Sequence, residues 1–403
     1  MPKALAIDGG TPVRSTPLPG WPANGEDAAE AVARVVRSNR TNYWTGEEGR
    51  ALEAEWSALT GRAHALAVAN GTLALELALR ALEIGPGDEV VVPARTFFAT
   101  ASAVVAVGAT SVVADIDVDS NNLTAATVAA VLTDRTRAVI AVHLGGWPVE
   151  MAPLMSLAEE RGLLVIEDCA QAHGGAYQGR PLGSLGHAAA FSFCQDKIVP
   201  AGEGGLLVLD DDAAYERAWS YRDHGKSQRT LAAREGGAAC FAFLVESFGS
   251  NWRLVEMASA LARVGTAHLA EWSALRRRNA LRLADGLAGV AGLRVPLPRE
   301  GVTHAFYRLY ARVVPADLAP DWNRARIAEA ILAEGVPVSY GTCAEIYREA
   351  AFGAAGLGPA ERLPGAAHAH ETSLALFVHP TLTETDIDDV VTAVRKVMAV
   401  AAR

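Results

Sequence analysis

Lys197 and Asp168 carry the most demanding chemistry in this chain, and each follows an apolar, strand-like run. Lys197 ends the stretch Phe191-Ser192-Phe193-Cys194-Gln195-Asp196-Lys197, which leads into Gly202-Glu203-Gly204-Gly205; Asp168 closes a run that starts at Leu163. A lysine ammonium is a poor nucleophile until it loses its proton, and as an amine it condenses with an aldehyde such as that of pyridoxal phosphate. An acid beside the ring nitrogen of such a cofactor keeps it protonated, so that the ring acts as an electron sink. Lysine is mostly a surface residue. The neighbours of Lys197 must therefore carry the argument.

Those neighbours depend on the elements that position them. Apolar runs at His64–Ala69, Glu89–Pro93, Ser111–Ile116, Ala138–Leu144, Leu163–Ile166, Ala188–Phe193 and Gly205–Leu209 alternate with amphipathic stretches such as Leu73–Leu82, Ala125–Leu132 and Ala152–Arg161. This pattern predicts βα units on a mostly parallel sheet. The expected fold is α/β: a large domain with a seven-stranded, mostly parallel sheet flanked by helices, spanning 26–255. Val255 to Leu287 reads as one long, broken or unbroken helix leading into a smaller C-terminal α+β domain over 256–403, with a strand at Phe306–Val314 and helices at Arg324–Glu334 and Glu384–Ala401. Residues 1–25, rich in Pro and Gly, read as an arm available to a partner.

In an open parallel sheet, ligands sit at the carboxyl ends of the strands. Asn70-Gly71-Thr72 follows the first strand and opens a helix, so backbone N–H groups and the Thr72 hydroxyl could hold a phosphate; Asn-Gly is equally a common turn. Pro93-Ala94-Arg95-Thr96-Phe97 follows the second strand and offers Phe97 either to a flat ring or to the core. Arg95 is a charge at a strand end, open to two readings: a contact to a substrate carboxylate or phosphate, or a surface charge.

Composition narrows the class. At 403 residues, half of them hydrophobic, the chain suits two or three domains of ~150 residues. A net charge of −10 gives no basic footprint for nucleic acid or anionic lipid. Cys169, Cys194, Cys240 and Cys343 are scattered without a C-x-x-C pair, as expected of reduced intracellular thiols. Met1 to Gly20 has no signal-peptide apolar core and no run of about 20 apolar residues occurs, so a cytoplasmic protein with no membrane partner is expected. His224-Gly225-Lys226-Ser227 lacks the glycine of a P-loop at Ser220, and the histidines form no H-E-x-x-H, so neither an ATPase nor a metal enzyme is predicted.

The chain resembles the DegT-type sugar aminotransferases, within the aspartate-aminotransferase fold class of pyridoxal-phosphate enzymes. The matching pieces are Asn42-Tyr43-Trp44-Thr45-Gly46, Asn70-Gly71-Thr72, Pro93 to Phe97, Glu167-Asp168-Cys169-Ala170-Gln171-Ala172-His173-Gly174, Phe191 through Lys197, Gly202 to Gly205 and Gly249-Ser250-Asn251-Trp252-Arg253. They run in family order across essentially the whole chain. The resemblance implies that Lys197 forms the Schiff base and shuttles the proton, that Asp168 pairs with the pyridinium nitrogen, and that Gln171 lies near the phenolic oxygen. It further implies that Phe97 stacks on the ring, and that Gly71, Thr72 and Ser192 bind phosphate together with Asn251 from a second subunit of a homodimer. Tyr43, His304 and Tyr307 are candidates to line the acceptor pocket, or ordinary packing residues.

Glutamate or glutamine is the implied amino donor. Relatives that dehydrate instead replace the lysine with histidine; this chain keeps Lys197. Phe191 to Lys197, Arg222 to Ser227 and Glu345-Ile346-Tyr347 look most like aminotransferases of nucleotide-linked keto-sugars, while Asp8 to Arg14 is similar to relatives that aminate ketocyclitols or make aminated aromatic acids. A non-catalytic cofactor- or sugar-binding regulator is the reading from another class. Pro200-Ala201, before Gly202, depart from the family pattern.

Overall fold

The computed structural model describes residues 4–233 and 244–403. Seven strands form the main sheet: β1 His64–Val68, β2 Glu89–Pro93, β3 Thr110–Ala114, β4 Thr136–Val142, β5 Leu164–Asp168, β6 Ala188–Ser192 and β7 Gly205–Leu209. Their order across the sheet is β1-β7-β6-β5-β4-β2-β3, and only β7 runs antiparallel to its neighbours. Each of the seven apolar runs of the sequence is thus one strand. The ends differ where polar residues continue a ladder: Glu167 and Asp168 pair with Ala141 and Val142 of β4, which carries β5 past Ile166.

Both faces of this sheet are covered, as a parallel sheet requires. Alternation along the strands divides the core in two. Leu66, Val68, Val90, Val92, Ile140, Ile166 and Leu207 pack on one side, against the Gly71–Ala81 helix. Ala65, Ala67, Val91, Val139, Val165, Phe191 and Val208 pack on the other. The period of two sends Asp168 to the face of Ile166 and Glu167 to the opposite face. There Glu167 accepts N–H groups of Gly183, Leu185 and Gly186 and contacts His143 Nε2 at 3.1 Å. Because His143 Nδ1 accepts from Val149 N, its proton sits on Nε2 and is given to Glu167. Within the buried group His143, Glu167 and Cys169, the His143 and Glu167 side chains are thus already engaged with each other and with backbone N–H groups.

The segment read as one long helix, broken or unbroken, is broken into two, Glu256–Ala267 and Leu269–Gly286, meeting at His268. Beyond them lies a three-stranded antiparallel sheet, β8 Leu293–Arg294, β9 Leu309–Val313 and β10 Ser373–Leu376, in the order β8-β9-β10. It packs with the Arg324–Ala333 and Glu384–Ala401 helices around Ile327, Ile331, Leu374, Val390, Val394 and Val397. The first residues do not reach away from the chain. Ala6 N and Val13 N donate to Glu334, and Arg14 pairs with Asp386 and Asp389 at 2.8 Å, so the arm is tied to its own C-terminal unit. Cys169, Cys194 and Cys343 are free, while Cys240 falls outside the described residues.

Candidate active site

The carboxyl ends of β1, β2, β5 and β6 converge on one region. The approach between the first two of its pieces is set by glycine. A Cβ on Gly71 would lie 2.7 Å from Ser192 Cβ, and one on Gly205 would lie 2.3 Å from Asn70 O. Only hydrogen side chains let the β1–helix turn, the end of β6 and the Gly-Glu-Gly-Gly loop come together. Asn70 caps the Gly71–Ala81 helix by accepting from Leu73 N at 2.9 Å. The N–H groups of Gly71 and Thr72, left without helical partners, stay available beside the Ser192 hydroxyl. Helix dipole, free N–H groups and hydroxyl make an anion cradle.

Asp168 ends β5 and is buried. Its Oδ2 accepts from Thr100 Oγ1 at 3.0 Å and its Oδ1 from Ala170 N at 3.1 Å; Thr96 Oγ1 contacts Thr100 Oγ1 at 2.8 Å. Burial pushes its pKa up, against the opposing pull of those donors and of the Lys197 charge. No cation forms an ion pair with Asp168 among the described residues. A buried carboxylate without a cation is costly. It fits a protonated ring nitrogen.

Lys197 lies in the turn between β6 and β7. Its backbone is held on both sides: Lys197 N donates to Cys194 O at 3.0 Å, and Trp21 Nε1 donates to Lys197 O at 2.9 Å. Its Nζ lies 3.7 Å from Asp196 Oδ1 and 5.0 Å from the centre of the Tyr307 ring, while the Tyr307 hydroxyl donates to Asp196 Oδ2. The chain has four lysines, Lys3, Lys197, Lys226 and Lys396. Lys226 is paired with Asp223 at 3.0 Å and Lys396 with Glu334 at 2.8 Å. Lys197 alone of the described three has no carboxylate at hydrogen-bond distance.

Gln171 Oε1 accepts from Gly145 N at 2.7 Å, which leaves the amide's N–H₂ end to donate. Phe97 is 66% exposed, so it is not a core residue and its face is free for a ring. His173, of the Glu167–Gly174 motif, is buried against Trp56, Phe191 and Phe193; burial pushes its pKa down to about 3 and keeps it neutral.

The pocket candidates divide. Tyr307 stands beside Lys197. His304 is buried, accepts from Phe306 N at 2.8 Å and stacks on the Phe306 ring, with its pKa pushed down to about 3 by burial. Tyr43 is buried between Arg50 and Arg222, and its hydroxyl donates to Glu53 at 2.8 Å. Neither of the two readings of Arg95 describes what is found. It is 1% exposed and donates to Asn121 Oδ1, Ser373 Oγ and Tyr340 O at 2.7, 2.6 and 2.9 Å, tying the end of β2 to the C-terminal unit. Asn251 is exposed, bridged to Asp223 and next to Trp252, whose carbonyl accepts from Ala69 N. Thr100 and Trp21 had no signal in the sequence; each acts through a contact distant along the chain.

A sequence profile of the DegT/DnrJ/EryC1/StrS aminotransferase family matches residues 22–395. The chain belongs to this family. It is 38% identical over 358 residues, 89% of this chain and 90% of the relative, to a UDP-N-acetyl-3-dehydro-alpha-D-glucosamine 3-aminotransferase of Acidithiobacillus ferrooxidans. An L-glutamine:2-deoxy-scyllo-inosose aminotransferase of Streptoalloteichus tenebrarius is 37% identical, with 84% of this chain and 81% of the relative covered. Among solved structures, an aminotransferase from Psychrobacter cryohalolentis superposes with a TM-score of 0.93 at 45% identity, covering 95% of this chain and 99% of that one. The aminotransferases of this family depend on pyridoxal phosphate. The site fits that cofactor: the cradle at Gly71 and Ser192 suits its phosphate, uncompensated Asp168 its ring nitrogen, exposed Phe97 its face and Lys197 its aldehyde.

Proposed function

We propose that the protein moves the amino group of glutamine or glutamate onto a keto-sugar, most readily one linked to a nucleotide. Pyridoxal phosphate, when bound, supplies the electron sink for the carbon that loses its proton. In this proposal Lys197 moves that proton, which requires a free amine within hydrogen-bond reach. Asp168 holds the proton on the ring nitrogen, Gln171 donates near the phenolic oxygen, and Gly71, Thr72 and Ser192 hold the phosphate. The observation that carries the reading is the pairing of a lysine free of carboxylate hydrogen bonds with a buried, cation-free aspartate at neighbouring strand ends.

The acceptor has two supported readings. The glucosamine-type relative favours a nucleotide-linked keto-sugar, and the scyllo-inosose relative favours a ketocyclitol. A non-catalytic regulator is not favoured, since the relatives are named aminotransferases and Lys197 and Asp168 are both retained. We further propose a cytoplasmic homodimer in which Asn251 completes the partner's phosphate site. Exposed Asn251 lies on a segment that also exposes Phe248 fully, Val245 at 57% and Val255 at 50%, as a buried interface would require. The test is to offer the purified protein glutamine or glutamate with a panel of nucleotide keto-sugars and ketocyclitols and to measure amine formation. Turnover of a keto-sugar supports the first reading, turnover of a cyclitol alone supports the second, and a ligand bound but never aminated overturns both.

A further inference from the structure

On the far side of Tyr307 from its hydroxyl, two guanidinium groups crowd one carbonyl oxygen. Arg276 Nη1, from the Leu269–Gly286 helix, and Arg308 Nη1, from the residue before β9, approach Tyr307 O at 3.5 and 3.1 Å. Arg276 Nη1 also lies 3.4 Å from Phe306 O. Neither arginine forms an ion pair with a carboxylate among the described residues. Asp196, the acid whose charge reaches Arg276, is already taken by the Tyr307 hydroxyl.

Arg276 is fully buried, and its Nε and Nη2 have no hydrogen-bond partner. Buried charges are normally paired. Here the walls are aromatic: Trp21 covers Arg276 at 5.0 Å, and Phe377 and Tyr307 flank Arg308 at 4.4 and 4.5 Å. His379, stacked on Trp21, brings no negative charge. Burial and the neighbouring Arg308 pull Arg276 down to about 9, so it stays charged at neutral pH while lacking an anion. This excess positive charge shares the Tyr307 ring with Lys197 Nζ.

We infer that Arg308, which is partly exposed, binds a carboxylate of the amino-acid donor, with Arg276 behind it supplying a second positive charge. This rests on the aminotransferase reading above. A guanidinium fork matches carboxylate and phosphate alike, and reach decides between them. The donor's carboxylate is bonded to the carbon that bears its amine, so it must lie close to Lys197. A diphosphate in a nucleotide sugar stands several bonds from the ketone.

The test compares wild type with Arg308→Gln and Arg308→Lys, each checked for an unchanged melting temperature. Binding of glutarate, a dicarboxylate with no amine to react, and of pyrophosphate is measured by tryptophan fluorescence and calorimetry on cofactor-free and loaded protein. Arg308→Gln should weaken glutarate by about ten- to a hundredfold, the scale of a lost charged hydrogen bond, and Arg308→Lys should restore part of it. The KM for glutamine should rise in parallel, with kcat and the acceptor's KM little changed. Glutarate affinity that is insensitive to Arg308→Gln overturns the inference. So does a loss confined to pyrophosphate, which would assign the pair to the acceptor's diphosphate. If the protein transfers amino groups but glutarate is insensitive, only this inference falls; if no amino transfer occurs, the functional reading falls with it.

Discussion

Asp168 carries an opposition between stability and function. Its folded-state pKa lies above the ordinary 3.8 because burial outweighs the Thr100 and Ala170 donors. The folded protein thus binds this proton more tightly than the unfolded chain does. Stability falls as pH rises from 3.8 through the folded value, and the cost is complete above it. Cofactor-free Asp168→Asn should therefore be more stable than wild type at neutral pH, by about 1–3 kcal/mol, with the gap closing as pH drops below 3.8. Denaturant melts at several pH values check this. The same variant should lose most aminotransferase activity, since an amide cannot hold the ring nitrogen protonated. At this scale the sequence was readable where a motif is local: Asp168, Lys197 and Ser192 sit at the ends of apolar runs. Thr100 and Trp21 were not, because nothing near them in sequence marks a contact to Asp168 or to Lys197 O.

Among the elements, the sheet was the most legible part of the chain. Strands buried on both faces are nearly continuous apolar runs, and β2, with Glu89 at its start, matches its predicted bounds. A break in the long helical segment was open from the sequence, but its place at His268 was not, because Gly265 is accommodated inside the Glu256–Ala267 helix rather than ending it. Arg95 shows a different limit. A charge at a strand end suggests solvent or ligand, yet its partners Asn121, Tyr340 and Ser373 are supplied by other elements far along the chain, and its guanidinium lies 4.6 Å over the Tyr310 ring. Removing it leaves the buried Ser373 hydroxyl and Tyr340 O without this donor, while Asn121 Oδ1 keeps Arg312, and takes a large buried side chain out of the seam. Arg95→Ala is expected to cost about 2–4 kcal/mol, seen as a lower denaturant midpoint. The KM values of both substrates should change less than stability does.

For the whole molecule, the surroundings of Lys197 are drawn from distant parts of the chain. Asp168 and Ser192 belong to the seven-stranded sheet, while Tyr307 comes from the C-terminal part and Trp21 from the arm. If Asn251 completes the partner's site, each dimer has two composite sites. Co-expressed Lys197→Ala and Asn251→Ala chains should then form mixed dimers with one intact site. Their activity should exceed that of either variant alone, approaching about half that of wild type per mixed dimer. Activity no higher than that of Asn251→Ala alone would put Asn251 in its own chain's site or in none.

The central claim is that Lys197 is the residue that binds the cofactor covalently. Borohydride reduction of the purified, cofactor-loaded protein, followed by digestion and peptide mass analysis, tests it most directly, because the chain offers only four lysines. The account predicts a pyridoxyl group on the peptide containing Lys197, and none on the same peptide of a folded Lys197→Ala variant. Label on Lys226 or Lys396 instead, or none on any lysine of a protein that binds the cofactor, would contradict it.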